Sequence, residues 1–240
     1  MKTLPKIKKY DRKASHSYSY GTYPTIDLLT YKPEKVLKVF LKQKSFESDG
    51  VDKIVELCEK NKIPYEVNDW VIDKVSVKEN TYALGVFEKF DSPLEERSNH
   101  IVLVNPSNLG NIGTIIRSMV GFENINLAII KPAVDIFDPL VIRSAMGAFF
   151  QIKFEYFDTF EHYQKKYSNR DLYPFMLDGA IDIKEIDFKS PYSLVFGNEG
   201  RGLDSSYKKV GQSVYIRHSE KIDSLNLSMA VGIALFNCYK

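Results

Sequence analysis

Apolar positions follow two regimes along the chain, and the change between them falls near residue 90. In the first, a short helix is predicted from Pro24, a strand over Val36 to Leu41 and a helix over Val51 to Asn61. A strand over Tyr65 to Val67, a short helix over Asp69 to Val75 and a strand over Tyr82 to Phe90 complete a compact α/β unit. Val51, Ile54, Val55 and Cys58 recur at helical spacing, so Cys58 reads as a buried free thiol rather than a redox or metal-binding group.

The stretch Asp91-Ser-Pro-Leu-Glu-Glu-Arg-Ser-Asn99 is polar and charged, and its proline suits a connection between domains. Beyond it, apolar runs at 101–104, 127–130, 152–154, 175–177, 194–196 and 214–216 alternate with helical patterns. That alternation predicts an α/β domain with a mostly parallel sheet covered on both faces. Ligands of such sheets sit at the carboxyl ends of the strands. The expected division is a basic, flexible tail over 1–18, a small α/β domain over 19–90, a linker over 91–99 and a larger α/β domain over 100–240.

Composition narrows the class. With 44% hydrophobic and 27% charged residues the chain reads as an ordinary globular protein. No apolar stretch approaches the roughly 20 residues of a membrane helix, and the basic start lacks the apolar core of a secretory signal. A cytoplasmic location is expected. The net charge of +2 does not by itself announce a nucleic-acid partner. Its distribution is more telling, because Lys2, Lys6, Lys8, Lys9, Arg12 and Lys13 are opposed only by Asp11. A solvated tail is the plain reading of that run, and contact with RNA phosphates is the sharper one.

Three motifs begin where strands are predicted to end. The first, Asn105-Pro-Ser-Asn-Leu-Gly-Asn-Ile-Gly-Thr-Ile-Ile-Arg117, runs into a helix with Asn111 as a candidate cap and Arg117 one to two turns further on. A planar guanidinium near such a turn suits a two-pronged grip on phosphate; a capped helix with a surface arginine is the plainer alternative. The second, Ser193-Leu-Val-Phe-Gly-Asn-Glu-Gly-Arg-Gly-Leu203, lacks the ending of a P-loop and the spacing of a dinucleotide fingerprint. Glu199 is an odd choice for a mere turn. The third, Ser213-Val-Tyr-Ile-Arg-His-Ser-Glu-Lys-Ile-Asp-Ser-Leu-Asn-Leu-Ser-Met-Ala230, places Ser224 and Asn226 at the start of a closing helix, where capping accounts for one of them.

In this order and spacing the trio resembles the SpoU (TrmH-type) family of RNA ribose 2′-O-methyltransferases in the SPOUT superfamily, from about Asn99 to the end. Arg143-Ser-Ala-Met-Gly-Ala148 is similar to a further family segment packed beneath the site. Residues 19–90 look like the small RNA-binding domain that many members carry. The resemblance implies a trefoil-knotted catalytic domain acting as a homodimer on structured RNA, either tRNA or rRNA. It also implies S-adenosylmethionine held by Gly197, Ile216 and Leu225, with Leu177 to Gly179 adding to the pocket. Catalysis or site assembly would involve Asn111, Arg117, Glu199, Ser224 and Asn226, without a metal. A noncatalytic knotted RNA-binding protein and an RNA base methyltransferase are the alternatives. Members usually carry proline and methionine after the isoleucine of the third motif, where this chain has Arg217 and His218; His218 is expected to be an exposed loop residue. Ser144 and Ala145 stand in the reverse of the usual order, for which we have no physical account.

Overall fold

A computed structural model describes residues 4–44, 49–76 and 81–239. The chain forms two compact units: residues 1–90 with 135–151, and residues 91–134 with 152–240.

The first unit is built on a four-stranded sheet of β1 (His16–Tyr20), β4 (Ala83–Glu88), β2 (Val36–Leu41) and β3 (Tyr65–Val67), in that order. β4 runs antiparallel to both neighbours, so β1, β2 and β3 share one direction. Tyr18, Tyr20, Leu84 and Val86 point to one face, where Val71, Ile72 and Val75 of α3 (Asp69–Val75) cover them. The helices α1 (Thr22–Tyr31) and α2 (Asp49–Asn61) pack on one another. Cys58 of α2 is fully buried and free, and burial pushes its thiol up to about 12.

Two expectations are corrected here. The basic start is not a free tail to residue 18, since β1 begins at His16. Ile7 and Tyr10 pack against the core, Tyr18 Oη donates to the Lys8 carbonyl and Lys89 Nζ donates to the Arg12 carbonyl. Two apolar side chains among the lysines suffice to hold the segment down. Lys2 lies outside the described residues. The second correction concerns 135–151, which contains the short helix α5 (Pro139–Ser144) and the Arg143 to Ala148 segment. It belongs to this unit. Ser17 Oγ donates to the Phe137 carbonyl, Arg143 Nη1 donates to Thr81 Oγ1, and Phe149 and Phe150 pack on Phe90 and Phe87. Gly147 takes φ +93° against Asp27, whose carboxylate a Cβ would strike at 2.2 Å, so no larger residue fits there.

The second unit carries a parallel five-stranded sheet in the order β7 (Lys153–Phe157), β6 (Asn126–Ile130), β5 (His100–Val104), β10 (Tyr192–Phe196), β8 (Asp171–Pro174). Its central strands β5, β6 and β10 are buried at every position, as near-continuous apolar runs predict. β8 lies earlier than the predicted run at 175–177, because residues 171–174 make the pairing with β10. A small parallel pair, β9 (Ile181–Asp182) with β11 (Val214–Tyr215), adjoins it. The helices are α4 (Leu109–Gly121), α6 (Phe160–Lys166) and α7 (Leu227–Cys238), with α7 packed on α4.

At the amino ends of the strands, His100 is fully buried between Tyr163 Oη at 2.9 Å and the Glu95 carbonyl at 2.8 Å. A carbonyl only accepts, so Nε2 carries the proton, Nδ1 accepts from Tyr163, and Ser193 Oγ donates to Tyr163. Burial lowers the His100 pKa to about 4. Protonation therefore favours the unfolded chain. Stability held above pH 6.5 should fall by about 3 kcal/mol as the pH drops toward 4. Urea midpoints measured between pH 6.5 and 5 should slope steeply in the native protein and less in His100→Gln; His16, also lowered by burial, leaves a residual slope. Equal slopes would show that His100 does not govern acid sensitivity.

Candidate active site

The carboxyl ends of β8, β10 and β11 open onto a cavity of about 390 Å³. Its wall combines Phe175 to Asp178 after β8, Phe196 to Leu203 after β10, and Ile216, His218, Ser224 and Leu225 after β11. Phe175 and Phe196 stack at 4.4 Å behind it.

Close backbone packing shapes two of the loops. A Cβ at Gly197 would lie 2.1 Å from the Gly202 carbonyl carbon, so the turn after β10 closes only on glycine. A Cβ at Gly179 would lie 2.4 Å from the Val214 carbonyl carbon, which lets that loop lie against β11. Gly179 is thus a packing position, whereas Leu177, Gly197, Ile216 and Leu225 line the cavity itself.

Beside the cavity, Glu199 joins the loops of the first and second motifs. Its Oε2 accepts from Ser107 N at 3.1 Å and Ser107 Oγ at 2.7 Å; its Oε1 accepts from Asn108 N at 3.0 Å and Asn111 Nδ2 at 3.4 Å. Burial alone would raise this carboxyl, but the Ser107 and Asn108 donors outweigh it and hold the pKa below its ordinary value. A carboxylate so occupied organises a loop and has little capacity left to take a proton. Asn226 extends the chain of bonds, its Nδ2 donating to Asn111 Oδ1 at 3.2 Å while its Oδ1 caps α7 by accepting from Ser228 N at 2.9 Å. The three motifs therefore meet through Glu199, Asn111 and Asn226.

The structure redistributes several expected roles. The cap of α4 is Asn108, accepting from Asn111 N, so Asn111 is left to bridge. Asn226 is the α7 cap, and Ser224 lines the cavity. Arg117 stands exposed on α4; it does not line the cavity of its own chain. His218 is half-buried in the cavity wall rather than exposed, with Nδ1 at 2.8 Å from the Ile216 carbonyl. Arg217 turns instead to the buried Asp182, Nε to Oδ2 at 3.0 Å, so the two residues fix the loop without a proline.

Sequence reasoning missed Asn198 and Asn105. Asn198 Nδ2 donates to the Asn105 carbonyl at 2.8 Å, and its Oδ1 accepts from the Gly200 and Arg201 amides. Asn105 holds φ +54°, a left-handed conformation that asparagine tolerates better than most side chains. The Asn-Pro pair after a strand was the available signal. Among the described residues no group of His, Cys, Asp and Glu is placed to hold a metal ion.

The SpoU rRNA methylase family model matches residues 98–236. A 23S rRNA (uridine(2479)-2′-O)-methyltransferase of Streptomyces viridochromogenes is 29% identical over 203 residues, 79% of this chain. This chain spans 65% of that relative's length. A 23S rRNA (guanosine-2′-O-)-methyltransferase of Acinetobacter baylyi is 23% identical, over 93% of this chain and 96% of its own. The AdoMet-bound rRNA methyltransferase structure from Sinorhizobium meliloti superimposes with a TM-score of 0.78 at 25% identity, covering 93% of this chain and 87% of that one. With more than half of its length matched by the family model, and that part carrying three motif loops bonded to one another through Asn111, Glu199 and Asn226 beside one cavity, the chain belongs to the SpoU rRNA methylase family.

Proposed function

We propose that this chain transfers a methyl group from S-adenosylmethionine to a ribose 2′-hydroxyl of a structured RNA, ribosomal or transfer. The observation that carries the reading is the bonded cluster of Asn111, Glu199 and Asn226 beside a nucleoside-sized cavity. Its apolar faces at Leu177, Ile216 and Leu225, with polar groups at Ser224 and His218, fit a nucleoside that carries an aliphatic sulfonium chain. Leu177, Gly197, Ile216 and Leu225 would hold the cofactor, while Gly179 keeps its loop tight. Bound there, S-adenosylmethionine supplies a methyl group already activated by its sulfonium charge.

What remains for the protein is to align the ribose oxygen and let its proton leave. Alignment supplies up to roughly 7 to 11 kcal/mol, more than the 10²- to 10⁴-fold typical of a general base. Asn111, Glu199, Ser224 and Asn226 build the rigid floor, and Arg117 grips the phosphate beside the target ribose. The relatives' names as 2′-O-methyltransferases support ribose over base as the acceptor. Incubation with labelled cofactor and total RNA, followed by digestion to nucleosides, tests the reading; labelled 2′-O-methylnucleosides support it, and label on a base overturns it.

The same reading includes a trefoil knot closed by α7, a cytoplasmic location and a homodimer. α7 is apolar on two sides. Leu227, Val231, Ala234 and Leu235 are buried, whereas Met229 and Phe236 are 58% and 71% exposed. A two-fold pairing through this face covers the exposed side and accounts for Arg117, which does not reach the cavity of its own chain. Light scattering at micromolar concentration should give about twice the 27.6 kDa chain mass, and Phe236→Asp should shift it toward one. A fully active monomer would sink the dimer.

A further inference from the structure

The first unit carries an aromatic rim that the methyl-transfer site does not use. Because β1, β2 and β3 run together and β4 returns, the ends of the first three and the start of the fourth lie at one end of the sheet. Backbone bonds align that end: Gly21 N to the Ala83 carbonyl, Lys42 N to the Tyr82 carbonyl and Asn68 N to the Leu41 carbonyl, each at 2.9 Å. Three large rings follow directly from this row. Tyr23 is 67% exposed at the start of α1, Trp70 is 68% exposed at the start of α3, and Tyr82, just before β4, is 42% exposed.

Their setting is cationic. Lys74 Nζ sits 4.6 Å from the centre of the Trp70 ring. Among the described residues, the acids beside these rings are already engaged: Asp73 pairs with Lys42 and Asp69 accepts from Gln43 N at 2.8 Å. Among the described residues Lys44 and Lys74 have no carboxylate partner. Single rings interleaved with lysines differ from the continuous apolar patch of a protein interface. They suit a nucleic-acid strand, whose bases stack on aromatic faces while its phosphates meet ammonium groups.

We propose that this rim is an RNA platform on which Trp70 stacks an unpaired base of the substrate, with Tyr23 and Tyr82 as flanking faces and Lys44 and Lys74 as phosphate contacts. The inference rests on the reading of the chain as an RNA enzyme, and it places substrate selection in the first unit.

The chain contains one tryptophan, so its fluorescence reports on this position alone. The full-length protein is titrated with an RNA hairpin bearing an unpaired loop, and separately with the matching fully paired duplex. Tryptophan emission should be quenched by the hairpin and much less by the duplex. Trp70→Ala should weaken hairpin binding by about tenfold, and Trp70→Phe should restore most of it. Affinity for S-adenosylhomocysteine should stay unchanged in both variants. Unaltered emission at saturating hairpin, or unaltered affinity in Trp70→Ala, overturns the platform and leaves the rim to a protein partner. Failure to bind S-adenosylhomocysteine would instead overturn the methyltransferase reading, so the two failures are distinguishable.

Discussion

Replacing Arg117 by alanine is expected to leave cofactor affinity within about twofold and to slow methyl transfer by roughly a hundredfold or more, the scale set by removing one charged group from a reacting centre. Cofactor binding is spared because Arg117 is not part of the cavity wall. Folding is spared because the side chain is exposed. On the proposed reading, what is lost is the guanidinium fork that grips the phosphate beside the target ribose. Arg117→Lys keeps the charge without the fork, so it should recover only part of the rate. Single-turnover kinetics at saturating RNA keeps weakened binding from passing as impaired chemistry. An unchanged rate in the alanine variant would falsify the role given to Arg117 and leave it a surface residue.

A comparable loss is expected from Glu199→Gln, for a different reason. The Ser107 amide, the Ser107 hydroxyl, the Asn108 amide and the Asn111 side chain all donate to this carboxylate. A carboxamide offers one acceptor oxygen and turns an NH₂ toward the remaining donors, so at least one stays unpaired. The first-motif loop should loosen, lowering transfer by at least about tenfold and stability by about 1 to 3 kcal/mol. Glu199→Asp keeps the charge but is too short to serve both loops, and should fall between. Because the native pKa is lowered, the clamp's contribution is complete above the ordinary carboxylate pKa and fades as the pH falls through the native value. Neutral assays therefore see it intact. Thermal midpoints and transfer rates at pH 7 that match the native protein would show that Glu199 is not a clamp.

The central strands of the second unit were legible because burial on both faces writes itself as uninterrupted apolar runs, as at Ile101 to Val104 and Leu127 to Ile130, whereas the edge strand β8, half exposed, was not. The clustering of Asn111, Glu199 and Asn226 was legible only through motif order, since nothing in a period of 2 or 3.6 says which loops meet. Finer assignments failed where two residues of the same type compete. Asn108 and Asn111 both suit a cap, and only the register of α4 decides between them. His218 looked exposed because its loop is polar, yet the Ile216 carbonyl draws its ring inward. The anchoring of the basic start was hidden by its lysines, although Ile7 and Tyr10 hold it to the core.

The excursion of residues 135–151 gives the molecule an unusual covalent plan. The chain leaves the second unit after Val134, lends Phe137, Phe149 and Phe150 to the first, and returns at Ile152. A cut at residue 90 therefore separates neither unit cleanly: the leading piece lacks the aromatic side chains that fill its core, and the trailing piece carries them with nothing to bury them. Three peptide connections cross between the units where a simple tandem would have one. For a lineage that trades its leading domain, such a stitch makes exchange by recombination costly, because the borrowed segment has to change in step with the domain it completes.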